Sequence, residues 1–269
     1  MDLIATFSKT LAEYDSSTMG WVTNIITNAT TQVALYLAAI VLVMELAKMF
    51  ERVNTSNNGV MMPRFFAEIA WRGAVSGVMI ALSRYIVEFM VLVGIGLVKL
   101  MGKYANGAFD VLPNVDISSS TSIWDTIGGI LTGNFLTFAL AYSVGVLISL
   151  AAYVMLTVLI MLRFFQLYVL LALAPLPMAS FASAEHQNIG ITYLKYIGAY
   201  ALQPAVLLTV IGVYHFMSTA GWDISGWQIP GIMASVDGIK ELLSGIVQGF
   251  IFIIALWQSH NISSKLLGV

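Results

Sequence analysis

Arg163 to Tyr214 reads RFFQLYVLLALAPLPMASFASAEHQNIGITYLKYIGAYALQPAVLLTVIGVY. An apolar run meets Pro175 and Pro177, turns through the polar SAEHQNIG, and resumes as a second apolar run. Proline lacks a backbone donor and its ring clashes with the preceding turn, so the first run must break there. Whether it crosses a membrane before breaking decides the topology of the chain.

Composition settles the medium. Hydrophobic residues make up 59% of the 269 positions and charged residues only 10%, against roughly 25% charged in a soluble domain. Several apolar runs reach the ~20 residues that span hydrocarbon as a helix, whereas barrel strands would recur as alternating segments of about ten. The fold class is therefore all-α, a polytopic membrane protein. A formal charge of −2 with scattered Lys and Arg leaves no electrostatic footprint for nucleic acid. With no cysteine, disulfides and thiolate metal sites are excluded. Asp2 stands where a basic leader segment would begin, so no cleavable signal is expected.

Residues 1–28 place Leu3, Ile4, Phe7 and Leu11 at helical spacing, with Asp2, Lys9, Glu13 and Asp15 on other faces. This predicts an amphipathic interfacial segment. Residues 29–269 read as a single transmembrane domain with spans near 30–50, 73–100, 134–161, 192–217 and 239–257. The stretch from Pro63 to Tyr104 holds no further proline, so it allows one helix of about 60 Å at 1.5 Å per residue. Residues 102–132 and 218–238 form acidic connections, and Trp222 and Trp227 suit a headgroup belt.

Charge asymmetry chooses between two topologies. If residues 163–183 cross the bilayer there are six spans and the acidic connections fall on opposite sides. If they form a proline-broken interfacial or re-entrant segment there are five, and Lys48, Arg52, Arg64, Arg163, Lys195 and Lys265 gather on one side. The positive-inside rule favours five spans, with the N-terminus outside and the C-terminus cytoplasmic. The carbonyls freed by the prolines, those of Leu171 and Leu173, then require cover by protein or a wet cavity.

Arg84 and Glu88 lie four residues apart on one helical face inside a span. Each offsets the cost of desolvating the other, and the pair reads either as a polar lining or as a neutralised packing contact. Gly73/Gly77, Gly129/Gly133 and Gly245/Gly249 are small-xxx-small pairs, of which the first and last fall in spans and suit close helix approach. Pro204, after Gln203, predicts a kink in the 192–217 span. His186, His215 and His260 have no metal-ligand spacing, and no phosphate-binding loop, zinc-protease signature or nucleophile elbow occurs. No enzyme, cofactor or metal is expected.

One stretch is specific enough to suggest a family. Arg163 with its aromatics and Tyr168, then Ala174-Pro175-Leu176-Pro177-Met178-Ala179, then Tyr193-Leu194-Lys195, Ala201-Leu202-Gln203 and Val213-Tyr214, resembles the TrbL/VirB-type polytopic inner-membrane subunit of type IV secretion and conjugation systems. The detailed likeness covers residues 160–215, and Pro204 stands where a small residue is expected. The resemblance implies a channel or structural subunit of the bacterial cytoplasmic membrane that assembles with its own copies, with other secretion-system membrane subunits and with partner ATPases. It implies that DNA or protein passes in transit, without sequence-specific nucleic-acid binding. On that reading Arg163, Pro175 and Pro177 shape a cytoplasmic-side elbow, with Pro204 as a further hinge, and Gly73, Gly77, Gly245 and Gly249 pack helices. Two other readings stand beside it: a stand-alone solute or ion transporter using Arg84, Glu88, Lys195 and His215, and a membrane scaffold with no pore of its own.

Overall fold

The computed structural model describes residues 3–55, 63–104, 135–219 and 237–268, and every element among them is helical. The acidic connections, Gly129/Gly133, Trp222, Trp227 and the packing around Gly245 lie outside the described parts. Among the described residues, four helical stretches are long and apolar enough to cross a membrane: Ser16–Glu51, Phe66–Tyr104, Val146–Leu173 and Gln187–Met217. A shorter apolar helical stretch covers Val247–Ser259.

The chain opens with three short helices, α1 (Leu3–Phe7), α2 (Leu11–Tyr14) and α3 (Ser16–Ile25). Sequence chemistry sets their boundaries. The Thr10 side chain accepts the Glu13 amide at 3.3 Å, and the Glu13 carboxylate accepts the Thr10 amide at 2.8 Å, a reciprocal capping box for α2. Asp15 then caps α3, accepting the amides of Ser17 and Thr18 at 2.9 and 3.2 Å. Phe7 and Leu11 of the expected apolar face are buried. The boundary expected at residue 28 is absent, because α3 passes through a π turn, Ile26–Thr30, into α4 (Thr31–Thr55). No proline or glycine between Trp21 and Thr55 interrupts the backbone ladder.

Helix α5 (Pro63–Tyr104) is the single long helix that the proline-free stretch allows. Ser76, Ile80, Ser83, Val87, Val91 and Ile95 form its buried stripe, at the spacing of a 3.6-residue period. Helix α6 (Phe135–Leu173) corrects the sequence reading. Residues 134–161 and 163–173 were expected as a span and the start of a separate segment, but they form one helix. Arginine is a good helix former, and nothing removes a backbone donor before Pro175. The break is confined to Ala174, the one-turn helix α7 (Pro175–Met178), a 3-10 turn (Ala179–Ala182) and the bend before α8 (Gln187–Thr219). Helix α8 continues through Pro204, and α9 (Asp237–Leu266) closes the described chain.

The residues group into two compact units. The first comprises Ser8–Leu97, Leu162–Pro204 and Ser263–Val269, and it contains the elbow. In it the 3-10 turn and α7 pack on α4, the Ser76 hydroxyl of α5 donates to the Ala179 carbonyl at 3.4 Å, and Ser263 donates to the Ala199 carbonyl of α8. The second comprises Met1–Phe7, Val98–Met161 and Ala205–Ile262. Its core includes Ala152, Leu156, Leu208, Ile211, Phe252 and Leu256. Tyr214 and Phe252 meet there with ring centroids 4.6 Å apart.

Candidate functional site

In the elbow of the first unit, backbone groups around two prolines find new hydrogen-bond partners. Pro175 cannot donate to the Leu171 carbonyl, and the Ala174 amide reaches it instead at 3.2 Å. That tightening deprives the Leu170 carbonyl of its ordinary partner four residues on. The phenolic hydroxyl of Tyr193, from the second turn of α8, donates to it at 2.5 Å. Ser180 works in both directions, donating to the Pro177 carbonyl at 2.7 Å and accepting the Gly190 amide at 2.9 Å. Gly190 lies in the first turn of α8, whose amides have no partner inside the helix. The Leu170, Leu171 and Pro177 carbonyls and the Gly190 amide are thus satisfied within the protein, as membrane depth demands of irregular backbone. Ala174, Pro175, Met178, Ala179 and Ala182 are all buried.

Polar side chains tie the elbow to its neighbours at one end. The Ser183 hydroxyl donates to Glu45 of α4 at 3.0 Å, Lys48 pairs with Glu185, and Arg72 of α5 reaches Glu68 at 2.6 Å and Glu45 at 3.7 Å. The Lys48–Glu185 pair is largely exposed and contributes at most about 1 kcal/mol, whereas the Arg72 and Glu45 side chains are mostly covered. These contacts place the end of α4, the start of α5 and the start of α8 together.

The structure puts Arg163 elsewhere than expected. About 15 Å of helix, at 1.5 Å per residue, separates it from Leu173, so it does not shape the elbow. Its side chain is 0% exposed, and none of its three guanidinium nitrogens finds a hydrogen-bond partner among the described residues. The guanidinium carbon lies 5.0 Å from the Phe164 ring, and Tyr14 stacks on that ring at 3.8 Å with an 11° interplanar angle. One turn on, the Tyr168 hydroxyl bonds the Leu11 carbonyl and, at 3.3 Å, that of Asp15. Residues 11–15 are thereby clamped to α6 beside a buried cation that has the Phe164 ring but, among the described residues, no hydrogen-bond partner to offset a desolvation cost of several kcal/mol.

Arg84 and Glu88 are joined by a 2.7 Å bond from Nε to Oε1, with side chains 35% and 29% exposed. They line a cleft of about 260 Å³ together with residues of α2, α3 and α5. Lys195 is exposed on α8 and does not reach that cleft.

The expected packing glycines separate into different cases. A Cβ at Gly73 would meet only the flexible tip of Leu42, at 3.2 Å, and one at Gly77 would meet nothing within 4 Å. Gly77 therefore faces open space rather than a helix. In the second unit a Cβ at Gly249 would lie 2.3 Å from Ile148 Cγ2, so α9 and α6 approach closely there. Two further close approaches fall at glycines that sequence reasoning missed. A Cβ at Gly94 would fall 2.1 Å from the Ala201 carbonyl oxygen, and one at Gly190 would fall 2.5 Å from the Phe181 ring. Neither belongs to a spaced pair within its own helix, and no local signal marks them.

Comparison with protein-family models, with curated proteins and with solved structures finds no match for this chain.

Proposed function

We propose that this chain is a membrane-embedded structural or channel subunit of a type IV secretion or conjugation assembly, acting at the cytoplasmic membrane with copies of itself and with partner subunits. The observation that carries this reading is that residues quoted for the TrbL/VirB-type resemblance are those on which the local structure of the first unit depends. Pro175 and Pro177 make the break, Tyr193 recaptures the Leu170 carbonyl, Tyr168 anchors residues 11–15, and Ala201 receives Gly94. A motif concentrated on a rigid buried elbow suits a subunit positioned by its neighbours.

The topology proposed with it has five crossings, N-terminus outside and C-terminus cytoplasmic. The grouping of Lys48 and Arg72 at the elbow end of the first unit supports a cytoplasmic elbow under the positive-inside rule. The chain has no cysteine, so single cysteines at Lys48 and Glu185 report sidedness directly. Labelling of both only from the cytoplasmic side is expected, and labelling from opposite sides refutes the topology.

Function is tested by the double variant Pro175→Ala, Pro177→Leu in cells carrying the complete transfer system. Loss of DNA or protein transfer with the chain still inserted is expected, whereas unchanged transfer and complex assembly refute the elbow role. Photo-crosslinking from span residues to the transferred substrate separates a conduit from a scaffold. Solute or ion flux by the purified chain in liposomes favours a stand-alone transporter instead.

A further inference from the structure

The cleft beside Arg84 and Glu88 has the chemistry of a ligand site. One wall is α5, with Arg84, Glu88 and Leu92; the other is the N-terminal segment, with Thr10, Leu11 and Met19. Arg84 spends only Nε on Glu88, and the bond uses only Oε1 of the carboxylate. Among the described residues no hydrogen bond engages the two terminal guanidinium nitrogens or Oε2. Both side chains remain about a third exposed, and their neighbours Tyr85, Phe89 and Leu92 are large exposed apolar groups on a helix long enough to span a membrane. Unsatisfied donors facing hydrocarbon cost several kcal/mol each, so this pair needs a polar complement that hydrocarbon cannot supply.

Depth identifies the complement. The opposite wall belongs to the interfacial segment, whose Thr10–Glu13 capping box and Asp15 cap are polar features at the start of the Ser16–Glu51 span. At the headgroup level that its amphipathic pattern predicts for this segment, phosphate groups would stand at the mouth of the cleft. Guanidinium donors match a phosphodiester, and the carboxylate oxygen beside them accepts from an ammonium. Leu11, Met19 and Leu92 supply apolar wall for the first acyl segment.

We propose that this cleft binds one phospholipid bearing a primary amine, with its phosphodiester on Arg84, its ammonium on Glu88 and its acyl chain against Leu11, Met19 and Leu92. The acyl wall and the amine distinguish this ligand from a free anion and from lipids that lack a hydrogen-bonding headgroup cation.

Native mass spectrometry of the full chain, released from micelles doped with a single phospholipid, tests the site. Phosphatidylethanolamine is retained about tenfold more than phosphatidylcholine, the scale of one charge-assisted hydrogen bond. Arg84→Gln lowers retention of both. Glu88→Gln removes the ethanolamine preference and shifts retention toward phosphatidylglycerol. Ala12→Trp fills the cleft without touching the ion pair and abolishes selective retention, which keeps the test valid if a charge variant fails to fold. Retention that ignores headgroup and variant alike overturns the site, since it marks annular lipid only. Displacement of the lipid by millimolar inorganic phosphate, with equal thermal protection, overturns the lipid assignment in favour of a free-anion site.

Discussion

Gly94→Ala tests the close crossing of α5 and α8. The new methyl would sit 2.1 Å from the Ala201 carbonyl oxygen and 2.9 Å from its carbon, whereas a side-chain carbon needs 3.0 Å at least and 3.4 Å for ordinary contact. The obstacle is backbone, which no rotamer change moves aside, so the two helices must separate by about 1 Å. Overpacking of this kind costs roughly 1–3 kcal/mol, and a rigid obstacle belongs at the upper end. Replacing an interior glycine with alanine returns up to about 1 kcal/mol of helix propensity, leaving a net loss of about 2 kcal/mol. Gly77→Ala is the internal control. It meets nothing within 4 Å, so it keeps the propensity gain alone and is neutral or stabilising by up to about 1 kcal/mol. The two variants then differ by about 3 kcal/mol, roughly a hundredfold in the unfolding equilibrium. Reversible unfolding in mixed detergent micelles, followed by far-ultraviolet circular dichroism, reads this difference. Gly94→Ala as stable as Gly77→Ala would show that the helices do not meet at Gly94.

Three further outcomes follow from named contacts. Arg163→Met removes a buried cation that has no hydrogen-bond partner among the described residues and raises stability by roughly 1–4 kcal/mol in the same unfolding assay; a loss of stability would mean that the guanidinium has a polar partner. Tyr193→Phe leaves the Leu170 carbonyl without its donor and costs about 1 kcal/mol, seen as faster proteolysis within residues 174–190, and unchanged proteolysis counts against the elbow lock. Hydrogen bonds from Thr18 and then Ser17 hold the Asp15 carboxyl at about 2, below its ordinary 3.8. A depressed folded value means the cap's contribution is complete above 3.8 and is lost as pH falls through about 2. Amide protection at Ser17 and Thr18 should therefore hold from neutral pH down to about 4, decline below it and be lost as pH falls through about 2; loss already near pH 6 contradicts the cap.

The legible part of this chain follows from properties that act locally. Composition alone decided the membrane class, because hydrocarbon admits only backbones that satisfy themselves. Missing donors at Pro175 and Pro177 decided that the chain breaks there, and the proline-free run from Arg64 to Tyr104 decided one long α5. The Arg84 and Glu88 spacing placed both on one helical face. Thr10, Glu13 and Asp15 carried their capping chemistry in plain view, though the segment was read only for its apolar face.

Tertiary structure decided the rest, for reasons a linear pattern cannot contain. Arg163 was counted among the cytoplasmic-side charges and given a part in the elbow, yet the fold buries it beside the Phe164 ring, on which Tyr14 of the distant N-terminal segment stacks. Gly94 and Gly190 owe their importance to what faces them, Ala201 and Phe181, while Gly77 matched a packing motif and meets nothing within 4 Å among the described residues. The prolines determined that the Leu171 and Leu173 carbonyls would lose their helical donors; only the three-dimensional fold determined that Tyr193 would meet the Leu170 carbonyl, released when the Ala174 amide turns to Leu171, since a hydrogen bond across a turn depends on where two helices lie and not on the residues of either alone.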